Sequence, residues 1–249
     1  MTTGTLDQST RTTRRPAQWL RVARWQLETG VFLMLWAWGL ITVLVVAVLA
    51  IVGQSVHVVV SGFAISHHGL LWFPFSIAIM VTVTYLPLHV GSGMTRSSFI
   101  KAALLGNVLI GVLNAAFTMV GLLIEREIYH RLGWFHGSTN AKGVEVLDGG
   151  ALTYGIGLTL LFVSGMLSGL LVGVAYYRAG GWWGTLTLPL TLLPIAVTSL
   201  IGLVDDSQWS PWDVSFAASW PASELFTGAV LIAAAAVFAL LVRRIPIDT

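Results

Sequence analysis

Six apolar stretches, at 31–53, 70–90, 102–124, 151–176, 185–204 and 225–242, alternate with short polar segments. None holds an Asp, Glu, Lys or Arg in its interior. Each has about 18 to 26 residues, enough at a rise of about 1.5 Å per residue to cross a hydrocarbon core roughly 30 Å thick. A backbone in lipid must satisfy its own hydrogen bonds, so runs this long and uniform predict helices, whereas a barrel would alternate in segments of about ten residues. The expected fold class is all-α and polytopic, with six transmembrane helices. An ionisable group at bilayer depth is costly and usually functional, so a chain without one is expected to draw its driving force from outside the membrane.

The polar segments divide the chain further. Residues 1–16 are rich in Thr and Arg and read as a disordered basic tail. In 17–28, Arg21, Arg24 and Glu28 share one helical face while Trp19, Val22, Ala23 and Gln26 lie opposite, the pattern of a helix in the membrane interface. That helix either anchors the first span or contacts a partner. Residues 29–242 form one six-helix membrane domain and 243–249 a short tail. Thr95 is placed to cap the third span and Gly133 to stop it, with Glu127 and Arg131 paired on the extension between. Pro74 and Pro87 in the second span, and Pro189 and Pro194 in the fifth, are sites of bending. Residues 205–224 mix Asp205, Asp206 and Asp213 with Trp209, Trp212 and Trp220, as short helices against the outer interface would.

Charge sets the orientation. With the N-terminus inside, inner segments hold ten basic residues (Arg11, Arg14, Arg15, Arg21, Arg24, Arg96, Lys101, Arg178, Arg243 and Arg244), and outer segments hold three (Arg126, Arg131 and Lys142). Both termini are therefore expected in the cytoplasm of a bacterial cell, and the net charge of +2 reflects orientation rather than nucleic-acid binding. Hydrophobic residues make up 56% of the chain and charged residues 10%, which leaves no room for a separate soluble domain. The two lysines, Lys101 and Lys142, follow Ile100 and Ala141, so no Gly-Lys-Ser/Thr phosphate loop exists.

Other chemistry is equally constrained. Cysteine is absent, which removes disulfides and thiolate ligands. The six histidines lie in loops or at span ends, without the spacing of a zinc site, and no Gly-x-Ser-x-Gly elbow is present. Neither a catalytic nor a metal site is expected. Gly165, Gly169 and Gly173 recur every four residues in the fourth span, a stripe that lets another helix approach closely, within the subunit or in a second one. Asn107 and Asn114 share a face of the third span. They serve either as interhelical glue or, with Tyr85 and Tyr154, as contacts along a pathway.

Two inner loops carry the most specific pattern. One runs Leu86-Pro87-Leu88, then Gly93-x-Thr95-Arg96-Ser97-Ser98-Phe99. The other runs Tyr177-Arg178-x-Gly180-Gly181-x-x-Gly184. In these motifs, in span number and in orientation, the chain resembles the permease subunits of the ABC type-2 exporter superfamily, the short six-span actinobacterial kind. The resemblance implies that 93–99 is a coupling helix docking on an ATPase subunit through Gly93, Thr95, Arg96, Ser97, Ser98 and Phe99, with Arg178, Gly180 and Gly181 in the second loop. It further implies two ATP-binding subunits that hold ATP and Mg, a second permease chain, and an amphipathic cargo such as an antibiotic, lipid or hydrophobic peptide. A non-transporting membrane scaffold or regulator is the alternative.

Overall fold

A computed structural model describes residues 18–138, 143–201 and 221–245. The expected tail at 1–16, the outer helices expected in 205–220 and the end of the expected fifth span lie outside the described residues, as do 246–249. The described chain is all-helical, apart from one isolated bridge between Gly137 and Glu145. Five segments are long and apolar enough to cross a membrane.

Helix α1 runs Gln18–Val52 without a break. Residues 18–28, expected as an interfacial helix, are helical and continuous with the apolar run that follows. At about 1.5 Å per residue α1 is roughly 52 Å long, so one end overhangs a bilayer. Helix α2 spans Gly62–Met80, capped by Ser61, whose hydroxyl accepts from the Ala64 amide. Pro74 lies within it and has no N–H for the carbonyl of Leu70. A π turn, Val81–Tyr85, then leads into α3, Leu86–Gly91. Pro87 sits at the start of α3, where its ring would strike the carbonyl four residues back in a regular helix; the wider π turn opens the backbone just before it.

Helix α4, Arg96–Leu132, begins at the Thr95 cap and ends at Gly133, whose φ of 69° gives the left-handed stop. Helix α5, Ala151–Leu186, is the hub, with every residue from 161 to 174 buried. It packs on α2 and α4 and on two later helices, α7 (Leu193–Leu200) and α8 (Ala222–Arg243). The expected fifth span is not one continuous helix. After Leu186 the chain forms α6, Leu188–Thr191, and then α7, each opening on a proline, because Pro189 and Pro194 cannot donate to the preceding turn. The start of the expected 243–249 tail is also packed: Arg243 closes α8 and Ile245 is buried.

Candidate functional site

One end of the bundle collects Arg21, Arg24, Arg96, Lys101, Arg178 and Arg243 and is called here the basic end. Its main connection is the turn 92–95 between α3 and α4, too short to be a helix of its own. The turn is held from inside. Gly93 adopts φ 78°, the Met94 amide donates to the carbonyl of His89 at 3.1 Å, and His89 Nε2 lies 2.7 Å from the Ser98 hydroxyl. Phe99 is fully buried and meets the His89 ring edge-on at 5.6 Å. Of the six residues assigned to docking, Ser98 and Phe99 therefore turn inward. Gly93, Thr95 and Ser97 are exposed, and the half-buried Arg96 donates to the carbonyl of Arg243 at 3.1 Å.

The second basic-end turn is built on Gly180, whose φ of 74° and ψ of −179° break the helix within α5. The chain folds back so that a Cβ on Gly184 would lie 2.9 Å from the Tyr176 ring, and the Tyr176 and Thr185 hydroxyls are 3.0 Å apart. Arg178 and Gly181 are exposed beside it. The glycine stripe faces α2: Gly165 packs on Leu71, Gly169 on Phe75 and Ala78, and Gly173 on Ile79 and Thr82. Close approach at that seam couples α2 directly to the central helix.

The four polar groups considered for a pathway separate into three situations. Asn114 is fully engaged, its Oδ1 accepting from Trp38 Nε1 and its Nδ2 donating to the Leu70 carbonyl, both at 2.9 Å. That second bond supplies the partner Pro74 withholds, so Asn114 is interhelical glue. Tyr154 stands at the start of α5 and packs against the core. Asn107 and Tyr85 do come together, lining one cavity of about 140 Å³ with Gln26, Thr29 and Thr84. In the sequence Gln26 is marked only by its place on the apolar side of the α1 wheel.

A polar cluster at the opposite end, the far end, was missed entirely. Glu125 is buried at the N-terminus of α2, where Gly62 donates to Oε1 at 2.8 Å and the Phe63 amide approaches both oxygens at 3.4 Å. The Ser61 hydroxyl donates to Oε2, and His136 Nε2 lies 3.2 Å from the same atom. Tyr129 closes the group by donating to the Val60 carbonyl at 3.1 Å. A carboxylate here satisfies amides that a helix start leaves open and complements the helix dipole. Serine and histidine both address the carboxylate rather than each other, so the set is a cap, not a nucleophile with its base. Among the described residues no group of three or more His, Asp or Glu is placed to hold a metal.

Comparison with protein-family models, with curated proteins and with solved structures gives no match for the chain.

Proposed function

We propose that this chain is the membrane-spanning permease subunit of an ATP-driven exporter of the ABC type-2 kind, six-spanning, with both termini in the bacterial cytoplasm. Two ATP-binding subunits would supply the energy, a second permease chain would complete the pathway, and the cargo is amphipathic. The observation that carries this reading is the turn at 92–95. It offers Gly93 and Thr95 outward, with Ser97 exposed beside them in the first turn of α4, while Phe99 and the His89–Ser98 contact fix it to the helices behind. A load applied there passes into α3 and α4 as rigid bodies, and from α2 through the glycine seam into α5. The charge-free interior of the apolar stretches fits the same division of labour, since a nucleotide-driven partner needs no titrating group at mid-membrane.

Co-purification from the native membrane tests the class: a stoichiometric ATP-binding protein is the expected result, and its absence favours the scaffold alternative. Within the complex, Ser97→Arg and Arg96→Ala are expected to lower cargo-stimulated ATP hydrolysis about fivefold, the weight of roughly 1 kcal/mol at an interface. Membrane insertion should be unchanged. Undiminished stimulation in both variants removes the turn and the start of α4 as the contact.

A further inference from the structure

A cavity of about 510 Å³ lies at the basic end, between the start of α1 and the turn that leads into α4. Arg21 and Trp25 of α1, Tyr85 and Leu88 of the π turn and α3, and Ser92 and Met94 of the turn contribute to its wall. That volume suits a small organic group and is far more than a bare ion needs. The wall is graded. Trp25 and Tyr85 meet edge-on at 4.9 Å and, with the exposed Leu88, make one side aromatic and apolar, the composition favoured where hydrocarbon meets headgroups. Arg21 lies four residues before Trp25, about 6 Å further out along α1, and a headgroup layer is itself roughly 5–7 Å deep.

Charge selects the occupant. No Asp or Glu contributes to the wall. Of the two arginines at the start of α1, Arg24 is spent on Glu28 at 2.7 Å and lies outside the wall, whereas the exposed Arg21 lines it and makes no ion pair among the described residues. Its planar fork of donors matches the oxygens of a phosphate. The Tyr85 hydroxyl adds a donor: it makes no hydrogen bond among the described residues and is not sealed from the surface. Ser92 is exposed, and its hydroxyl donates to the His89 carbonyl at 2.9 Å, so what it offers outward is an acceptor. Further along α1 toward the membrane centre, the exposed Phe32 and Trp36 border an apolar groove of about 1020 Å³ with Phe73.

We infer that this cavity is the headgroup site of an anionic glycerophospholipid from the leaflet at the basic end, one whose phosphate carries a hydroxylated substituent, as in phosphatidylglycerol. Arg21 and Tyr85 take the phosphate, Ser92 accepts from a headgroup hydroxyl, and the acyl chains run along α1. The site is independent of the transport reading, because its wall is complete in this chain and needs no ATP-binding partner.

The test is equilibrium binding of radiolabelled dioctanoyl phosphatidylglycerol to the full-length chain in maltoside micelles, corrected with protein-free micelles. Dioctanoyl phosphatidylcholine, zwitterionic on the same chains, is the matched competitor. Saturable binding is expected, with the glycerol lipid about tenfold tighter, the worth of one hydrogen-bonded charge. Arg21→Ala, at an exposed position, should bring that ratio close to one, whereas Arg24→Ala should leave it unchanged. Dioctanoyl phosphatidylmethanol, equally charged but without a hydroxyl, should bind about threefold more weakly than phosphatidylglycerol to wild type and equally well to Ser92→Ala. Equal affinity for the glycerol and choline lipids, or a preference that survives Arg21→Ala, overturns the inference. So does a preference that Arg24→Ala abolishes as fully, since that is diffuse attraction to the basic end, and so does wild type that binds phosphatidylmethanol as tightly as phosphatidylglycerol. Displacement of the lipid by equimolar inorganic phosphate or glycerol 3-phosphate would assign the cavity to a soluble phosphate compound and overturns it as well. If Ser92→Ala does not fold, the two arginine variants and the wild-type ratios still decide it. Absence of an ATP-binding partner would leave this result standing, so the two proposals fail separately.

Discussion

At the far end of the bundle one buried carboxylate, Glu125, collects a hydroxyl, two helix-start amides and an imidazole nitrogen; toward the basic end three amide atoms of Gln26 and Asn107 are buried and collect nothing. Both sets are more than nine-tenths buried, except that Gly62 is only part-buried. Burial alone therefore does not say what a polar group is for. A buried group whose partners are present holds the fold, and one whose partners are missing carries an uncompensated desolvation cost, as Gln26, Asn107, Ser168 and Thr227 do. The far end is not perfectly paired, since His136 Nδ1 has no partner.

The sharpest way to break this contrast is Glu125→Leu. It strands the Gly62 and Phe63 amides, the Ser61 hydroxyl and His136 Nε2 together, and loses the anion at the start of α2. We expect a loss of about 3–5 kcal/mol, the usual cost of removing one partner from a buried charged network. Unfolding in mixed detergent–SDS micelles would measure it, and a change below about 1 kcal/mol would remove the far end as a structural cap. Asn114→Leu is the intermediate case. It leaves the Trp38 indole N–H and the Leu70 carbonyl without partners, and Pro74 ensures that no helical amide can replace the latter. The expected cost is about 1–2 kcal/mol by the same unfolding measurement.

Much of the scaffold is legible in the residues. The apolar run lengths foretell long helices because lipid leaves a backbone few alternatives, and Thr95 and Gly133 mark the ends of α4 by local chemistry. The continuity of α1 is harder to read. Its amphipathic beginning runs on into the span, because a change of polarity is not a break and nothing between Gln18 and Val52 supplies one. Proline outcomes depend on neighbours: Pro74 is tolerated inside α2 because Asn114 happens to lie across from Leu70, whereas Pro189 and Pro194 each restart a helix. Glu125 was readable in principle, since Thr118, Leu122, Glu125 and Tyr129 continue one buried stripe of α4 past the apolar run. The identity of its partners was not, because Ser61 and His136 reach it only through the packing of the far-end loops. Gln26 likewise shows its buried face on a helical wheel, while its lack of partners exists only in three dimensions.

The smallest expected effect sharpens the contrast most. Gln26→Leu removes an amide that makes no hydrogen bond in the folded chain, so the variant loses none and sheds the desolvation cost of two polar ends. The leucine side chain is of similar bulk, and Gln26 Oε1 packs closely on Gly106, where an added Cβ would lie 3.2 Å from it. We expect unfolding within about 0.5 kcal/mol of wild type, or a modest gain. A loss as large as that of Asn114→Leu would mean that Gln26 is held by partners after all, for example by ordered water bridging to Asn107. The buried amides would then be as structural as the cap at the far end. A stability that is unchanged in the variant would separate a buried amide that the fold merely tolerates from one, like Asn114, that holds helices together.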